Sequence, residues 1–193
     1  MKRWTTLALL CVVVMAVATL ADAAPRVRIE TNKGTVVVEL YPDKAPKSVE
    51  NFLQYVRTGH YVGTIFHTVI NGYIVQGGVF DTDLVKRPTL PPIESEATNG
   101  LKNSRGTIAM ARTAKVHSAT DQFFFNLGNN SRLDHKDNTP DGFGYAVFGK
   151  VIEGLNVLDE IGRVPVAPSY VSEYMPKQAV IIRKVTLLDE ANK

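Results

Sequence analysis

Val27, Ile29 and Thr31 alternate with polar neighbours, the two-residue period of a strand with one covered face. Asn32-Lys33-Gly34 reads as a turn, and Thr35 to Leu40 as the returning strand of a hairpin. The period then changes. Val49, Phe52, Leu53 and Val56 recur at helical spacing behind Pro46, which suits a first turn, and Gly59 can end the helix. Short strand patterns follow at Thr64 to Ile70, Tyr73 to Gln76, Gly106 to Ala111, Gln122 to Leu127 and Tyr145 to Val151. A second helix is predicted over Glu153 to Ile161, with Leu155, Leu158 and Ile161 inward, and Val180 to Leu188 closes the pattern as a strand. Many short strands with few helices predict a mainly β fold, a sandwich or barrel. Stretches 79–105, 112–120 and 129–143 remain as long loops, where such scaffolds carry function.

The N-terminus stands outside this pattern. Lys2 and Arg3 precede a run, Leu7 to Leu20, that is apolar apart from Thr19, and Ala21-Asp22-Ala23 supplies small residues for cleavage. This is the layout of a secretory signal, with residues 1–23 removed and residues 24–193 forming one domain. The run is shorter than the roughly 20 residues of a spanning helix, so no stable membrane insertion is expected once the signal is gone. Cys11 leaves with it, so the remaining chain has no cysteine and must hold together by its core. The net charge of +3 is small and dispersed, which gives no basis for nucleic-acid binding.

Several partial motifs fail on inspection. Gly144 to Lys150 spells most of a phosphate loop, but Val151 stands where a hydroxyl should hold magnesium, and Tyr145-Ala146-Val147-Phe148 reads as a strand. Asp137, Thr139, Asp141 and Gly142 start like a calcium loop, but its twelfth position is Phe148. His60, His67, His117 and His135 have no metal-ligand spacing and no cysteine partner, so neither a metal nor a cofactor is expected. His67 is expected in the core with its nitrogens satisfied by backbone. His117 and Ser118 are adjacent, which does not make a nucleophilic triad. What survives is a groove-like set: Phe66, Tyr73, Ile74, Gln76, Met110, Gln122, Phe124, Leu133 and Tyr145. The two glutamines are the informative members, because an amide inside a strand needs a partner.

The blocks APKSVENFLQYV, FHTVINGYIVQGG, RGTIAMARTA, SATDQFFFNL and FGYAVFGKV make the chain similar to cyclophilin-type peptidyl-prolyl cis-trans isomerases over roughly Val27 to Leu188. The signal and the long DHKDNTPDGFGYAVFGKV stretch most resemble the bacterial periplasmic branch, which implies a periplasmic protein. The resemblance implies a closed eight-stranded antiparallel β-barrel capped by two α-helices. It implies a monomer that takes proline-containing peptides and unfolded exported proteins as partners. Carried over by position, Tyr73, Ile74, Phe124 and Leu133 form the proline pocket, with Met110 in its floor and Phe66 beside it. Gln76 and Gln122 bond the peptide backbone or the catalytic group. Ala111 and Arg112 line the groove, and Tyr145 takes a place often held by histidine. Gln76, Phe124 and position 68 form the catalytic set.

Position 68 departs from the family pattern. An arginine follows the Phe-His pair in the family, and here the residue is Thr68. A hydroxyl is a shorter, neutral and weaker donor than a guanidinium. Arg132 also stands where an aromatic residue usually precedes the pocket leucine, so Arg132 is a candidate compensating cation. Two readings follow. The first is a prolyl isomerase, slowed by Thr68, that assists folding of exported proteins. The second is a weakly catalytic or non-catalytic module that binds proline peptides as a chaperone or adaptor.

Overall fold

A computed structural model of the chain describes residues 24–188. The expected signal segment, 1–23, lies outside the described residues. Eight antiparallel strands form one sheet: β1 (Arg26–Thr31), β2 (Gly34–Leu40), β3 (Thr64–Ile70), β4 (Ile74–Asp81), β5 (Thr107–Met110), β6 (Phe123–Asn126), β7 (Val147–Glu153) and β10 (Ile182–Leu187). Their spatial order is β10-β1-β2-β7-β5-β6-β4-β3. The two outer strands then meet. Ile65 bridges Ile181, the Gly63 amide donates to the Ile182 carbonyl at 2.8 Å, and the Phe66 amide to the Val180 carbonyl at 2.9 Å. The sheet is a nearly closed barrel, as the family resemblance implied.

Helices α1 (Pro46–Arg57) and α2 (Leu155–Gly162) pack on the barrel with the rows predicted for them. Val49, Phe52, Leu53 and Val56 from α1, and Leu158 and Ile161 from α2, join the main core. In that core Phe52 touches Tyr61, Phe123 and Phe148 with ring centroids 5.3–5.4 Å apart. The second helix starts two residues later than the pattern suggested. Gly154 stands at φ +82 ahead of it, and a Cβ there would lie 2.1 Å from the Thr35 carbonyl oxygen. Only glycine fits that crossing.

Three further boundaries differ from the sequence reading. Strand β4 runs through Gly77-Gly78 to Asp81 instead of stopping at Gln76. The pair permits close approach: a Cβ on Gly77 would sit 2.7 Å from the Ile65 carbonyl oxygen. Tyr145 and Ala146 precede β7, because the Tyr145 amide is taken by the Leu133 carbonyl at 2.9 Å. A small ribbon of β8 (Val166–Ala167) and β9 (Met175–Pro176) lies in a stretch to which the sequence pattern assigned no element.

Candidate functional site

Cross-strand register builds the site. Thr68 of β3 pairs with Gln76 of β4, Gln76 with Phe124 of β6, Phe124 with Ala109 of β5, and Ala109 with Val147 of β7. Residues directly opposite share a face, so this row runs across five strands on one side of the wall. Around it lies a second apolar cluster, separate from the main core: Ile74, Ala109, Ala111, Phe124 and Val147, with Tyr73, Leu133 and Tyr145 packed against it. The interior core lies behind, on Phe123 and Phe125. The outer cluster lies on the other side of the wall from that core, and through Ala111 it adjoins a cavity lined by Gln76 and Gln122, the candidate groove.

Strand parity corrects two sequence-derived positions. Phe66 is 1% exposed and belongs to the interior core, with its ring 6.1 Å from Phe123. Met110 is 2% exposed and is likewise interior, paired in register with Phe123. Neither lines the groove. Their neighbours Ala109 and Ala111 present the outer face instead.

The polar end of the groove is built on the two glutamines. Gln76 Nε2 donates to Gln122 Oε1 at 3.0 Å, so each supplies the partner the other needed. Beside them opens a cavity of about 210 Å³ lined by Gln76, Gln122, Ala111, Arg112, Lys86 and Thr120, among others. Lys86 and Thr120 carried no signal in the sequence, because loops bring them there without any period. At the apolar end Tyr145 stands edge-on to Phe124 at 5.6 Å, and the Arg112 guanidinium lies 4.9 Å from the centre of the Tyr145 ring.

Three buried asparagines hold this end from behind. Asn130 Nδ2 donates to the Tyr73 carbonyl at 2.9 Å and to Asn126 Oδ1 at 2.7 Å. Asn126 Nδ2 donates to Asn103 Oδ1 at 3.2 Å, and Asn103 Nδ2 reaches the Leu133 carbonyl at 3.0 Å and the Tyr145 carbonyl at 3.3 Å. The three groove residues Tyr73, Leu133 and Tyr145 are thus tied to one amide network. Sequence reading missed it.

The cations divide. Arg112 donates to the Gly144, Thr113 and Pro140 carbonyls at 2.8, 3.0 and 2.7 Å, so its nitrogens are committed to the groove wall. Arg132 lies in a short 3-10 turn (Ser131–Leu133) and is exposed. Burial raises the Tyr73 phenol above its ordinary pKa, Tyr145 adds to this, and the positive charge of Arg132 opposes it. Arg132 is thus within electrostatic reach of Tyr73, whereas Lys86 and Arg112 line the cavity beside Gln76. Thr68 is half-buried, and its hydroxyl donates to Ser172 Oγ at 2.8 Å. Next to it His67 is buried as expected, but its Nδ1 has no hydrogen-bond partner, which corrects the expectation of backbone satisfaction. Burial pushes its pKa down to about 4.

Among the described residues, no group of three or more His, Cys, Asp or Glu is placed to hold a metal ion. None of their helices is long and apolar enough to cross a membrane.

Known proteins resemble this chain along most of its length. Residues 26–187 match the family described as cyclophilin type peptidyl-prolyl cis-trans isomerase/CLD. The chain is 50% identical over 162 residues to peptidyl-prolyl cis-trans isomerase cyp18 of Streptomyces antibioticus, covering 84% of this chain and 98% of that protein. It is 47% identical over 161 residues to peptidyl-prolyl cis-trans isomerase B of Escherichia coli K12, covering 83% and 98%. Among solved structures, a cyclophilin type peptidyl-prolyl cis-trans isomerase of Cryptosporidium parvum superposes with a TM-score of 0.70 at 28% identity, covering 86% of this chain and 98% of that one. The same Cryptosporidium protein, crystallised in the presence of the dipeptide Ala-Pro, gives a TM-score of 0.69 at 28% identity over 84% and 98%. With its barrel, outward apolar floor and paired glutamines, this chain belongs to the cyclophilin-type peptidyl-prolyl cis-trans isomerase family.

Proposed function

We propose that this protein catalyses cis–trans isomerisation of X-Pro bonds in exported proteins, as a periplasmic monomer, more slowly than relatives that carry an arginine at position 68. The observation that carries the reading is the row Thr68–Gln76–Phe124–Ala109, which sets an apolar floor beside an amide pair. Rotation about a peptide bond faces a barrier of about 18–20 kcal/mol from amide resonance. No bond to carbon need form. The protein has only to hold the proline ring on Phe124, Tyr73, Ile74 and Leu133 and favour the twisted amide over either planar form. Gln76, Gln122 and the Ala111 backbone hold the peptide chain while one side of the bond swings. The twisted imide nitrogen regains its lone pair, and a positioned donor helps most at that moment.

Thr68 is where the donor should stand, and its hydroxyl proton is already engaged by Ser172. Losing one preorganised charged donor lowers rate by about 10²–10³. A proline-isomerisation assay on the protein and on Thr68→Arg tests this. The variant is expected to raise kcat/KM by about 10²-fold. An unchanged rate removes the slowed-enzyme reading, and inactivity of both proteins removes the enzyme reading in favour of a peptide-binding chaperone or adaptor. Export rests on residues 1–23 and predicts a mature N-terminus at Ala24, read by mass spectrometry of the cellular protein.

A further inference from the structure

Asp121 has no exposed surface, yet its two neighbours line the cavity beside Gln76. Thr120 and Gln122 face outward, and Asp121 between them turns into the wall. There His60 Nε2 donates to Asp121 Oδ2 at 2.8 Å. A carboxylate oxygen only accepts, so this nitrogen carries the proton. Tyr61 Oη donates to the Asp121 carbonyl at 3.0 Å, and Thr120 Oγ1 to Asp121 Oδ1 at 3.2 Å. From α1, Asn51 Nδ2 donates to the Thr120 carbonyl. On the far side, a Cβ on Gly78 would lie 2.8 Å from the Asp121 carbonyl oxygen, so β4 backs directly against this residue.

His60 also serves the opposite wall. Its carbonyl accepts from Arg87 Nη1, and the Arg87 amide donates to the Val79 carbonyl at 2.9 Å. Its ring lies 4.5 Å from that of Tyr55, whose hydroxyl accepts the Leu90 amide at 2.8 Å. Lys86 and Thr89, which line the same cavity, sit on the segment these bonds fix. One buried knot thus sets Thr120 and Gln122 on one wall and Lys86 and Thr89 on the other.

The geometry points to Asp121 and His60 as positioning residues for the peptide-binding end of the groove. They touch no substrate. They fix where the Gln122 amide stands, and hence how well Gln76 and Gln122 receive a peptide backbone. The inference rests on the isomerase reading above. A misplacement of about 1 Å in a positioned group can cost up to about 10²-fold. The expected signature is weakened peptide affinity with turnover largely kept, because Asp121 directly precedes Gln122 and its side-chain bonds run to His60 and Thr120.

The test separates positioning from simple stability. His60→Phe keeps the ring packing against Tyr55 but leaves Asp121 Oδ2 buried without its donor, so Tm falls. The double variant His60→Phe/Asp121→Ala removes both partners, and Tm recovers towards wild type. Affinity for an Ala-Ala-Pro-Phe peptide, read by NMR titration, is expected to stay about tenfold weaker in the double variant, with kcat changed about twofold at most. His60→Gln, which keeps an N–H donor, is expected to bind within about twofold of wild type and guards against failure of the phenylalanine variants to fold. Affinity that recovers together with Tm, or a loss confined to kcat, overturns the inference. A wild type that neither binds nor isomerises the peptide removes the isomerase reading itself, whereas a wild type that binds no better than the double variant removes only this inference.

Discussion

His67 shows how one residue can matter without touching substrate. It is 4% exposed, its Nδ1 is unpartnered, and its ring stands edge-on to Phe80 at 5.1 Å. Burial lowers its pKa from 6.5 to about 4, with Asp121 opposing the shift. Above pH 6.5 the imidazole is neutral folded or unfolded, and it adds no pH dependence. Between 6.5 and 4 the unfolded chain takes up the proton first, so stability falls as pH falls. Below 4 both states are charged and the loss is complete, at about 3 kcal/mol. At pH 5 the protein should already have lost about 2 kcal/mol relative to pH 7 from this residue. Denaturant unfolding of wild type and His67→Leu at both pH values checks it, with the variant losing that much less. At this scale the sequence was partly legible. Phe66 and His67 pointed to the fold, and Thr68 marked the departure from the family pattern on which the proposed slower rate rests. Phe66 was placed in the groove by residue type and Met110 by family resemblance, and neither carries strand parity, which only register decides.

At the scale of elements, the long periodic segments were legible and their fastenings were not. Helix α1 follows from its apolar row, but nothing nearby caps it: Ala45 precedes it and offers no side-chain hydrogen bond. The cap comes from Glu96 in the long loop. Its carboxylate accepts from the Lys47 amide at 2.9 Å, the Ser48 amide at 2.8 Å and Ser48 Oγ at 2.7 Å. A negative charge at a helix N-terminus satisfies free amides and is attracted to the positive end of the helix dipole. Glu96→Ala should therefore cost about 1 kcal/mol in thermal or denaturant unfolding, with Glu96→Gln intermediate. An unchanged midpoint would mean that water caps the helix equally well. The asparagine network and the β8–β9 ribbon were illegible for a related reason. Two-residue strands have no period, and an amide's partner across the fold leaves no trace in local spacing. The hairpin of β1 and β2, by contrast, was read correctly from alternation and a turn.

Across the whole molecule, the barrel has one weaker seam, and the Thr68–Gln76–Phe124 row ends on it. Seven of the eight junctions are paired ladders in the strand order, whereas β3 and β10 meet through a single bridge and a few backbone bonds. Thr68 lies on β3, and the Val69 amide beside it is held by the Tyr174 carbonyl at 2.9 Å from the ribbon segment. The seam is braced from the hairpin turn. Asn32 Nδ2 donates to the Ala179 carbonyl and its Oδ1 accepts the Ile181 amide, both at 2.9 Å. Ile181 is the residue that bridges to Ile65. Removing the Asn32 side chain strips two bonds from the strand that closes the barrel, so about 1–3 kcal/mol of stability should go. The loss should also be local. Segments with few supporting contacts open below the global unfolding free energy. In Asn32→Ala, amide hydrogen exchange should accelerate at Phe66 and Val69 on β3, while Ala109 and Phe124 in the β5–β6 ladder keep their protection. Equal acceleration everywhere would mean that the barrel opens only as one unit. A seam-selective response would mean that Thr68 sits on the part of the wall that moves most readily, so its rate effects must be separated from seam opening by measuring exchange in Thr68→Arg as well.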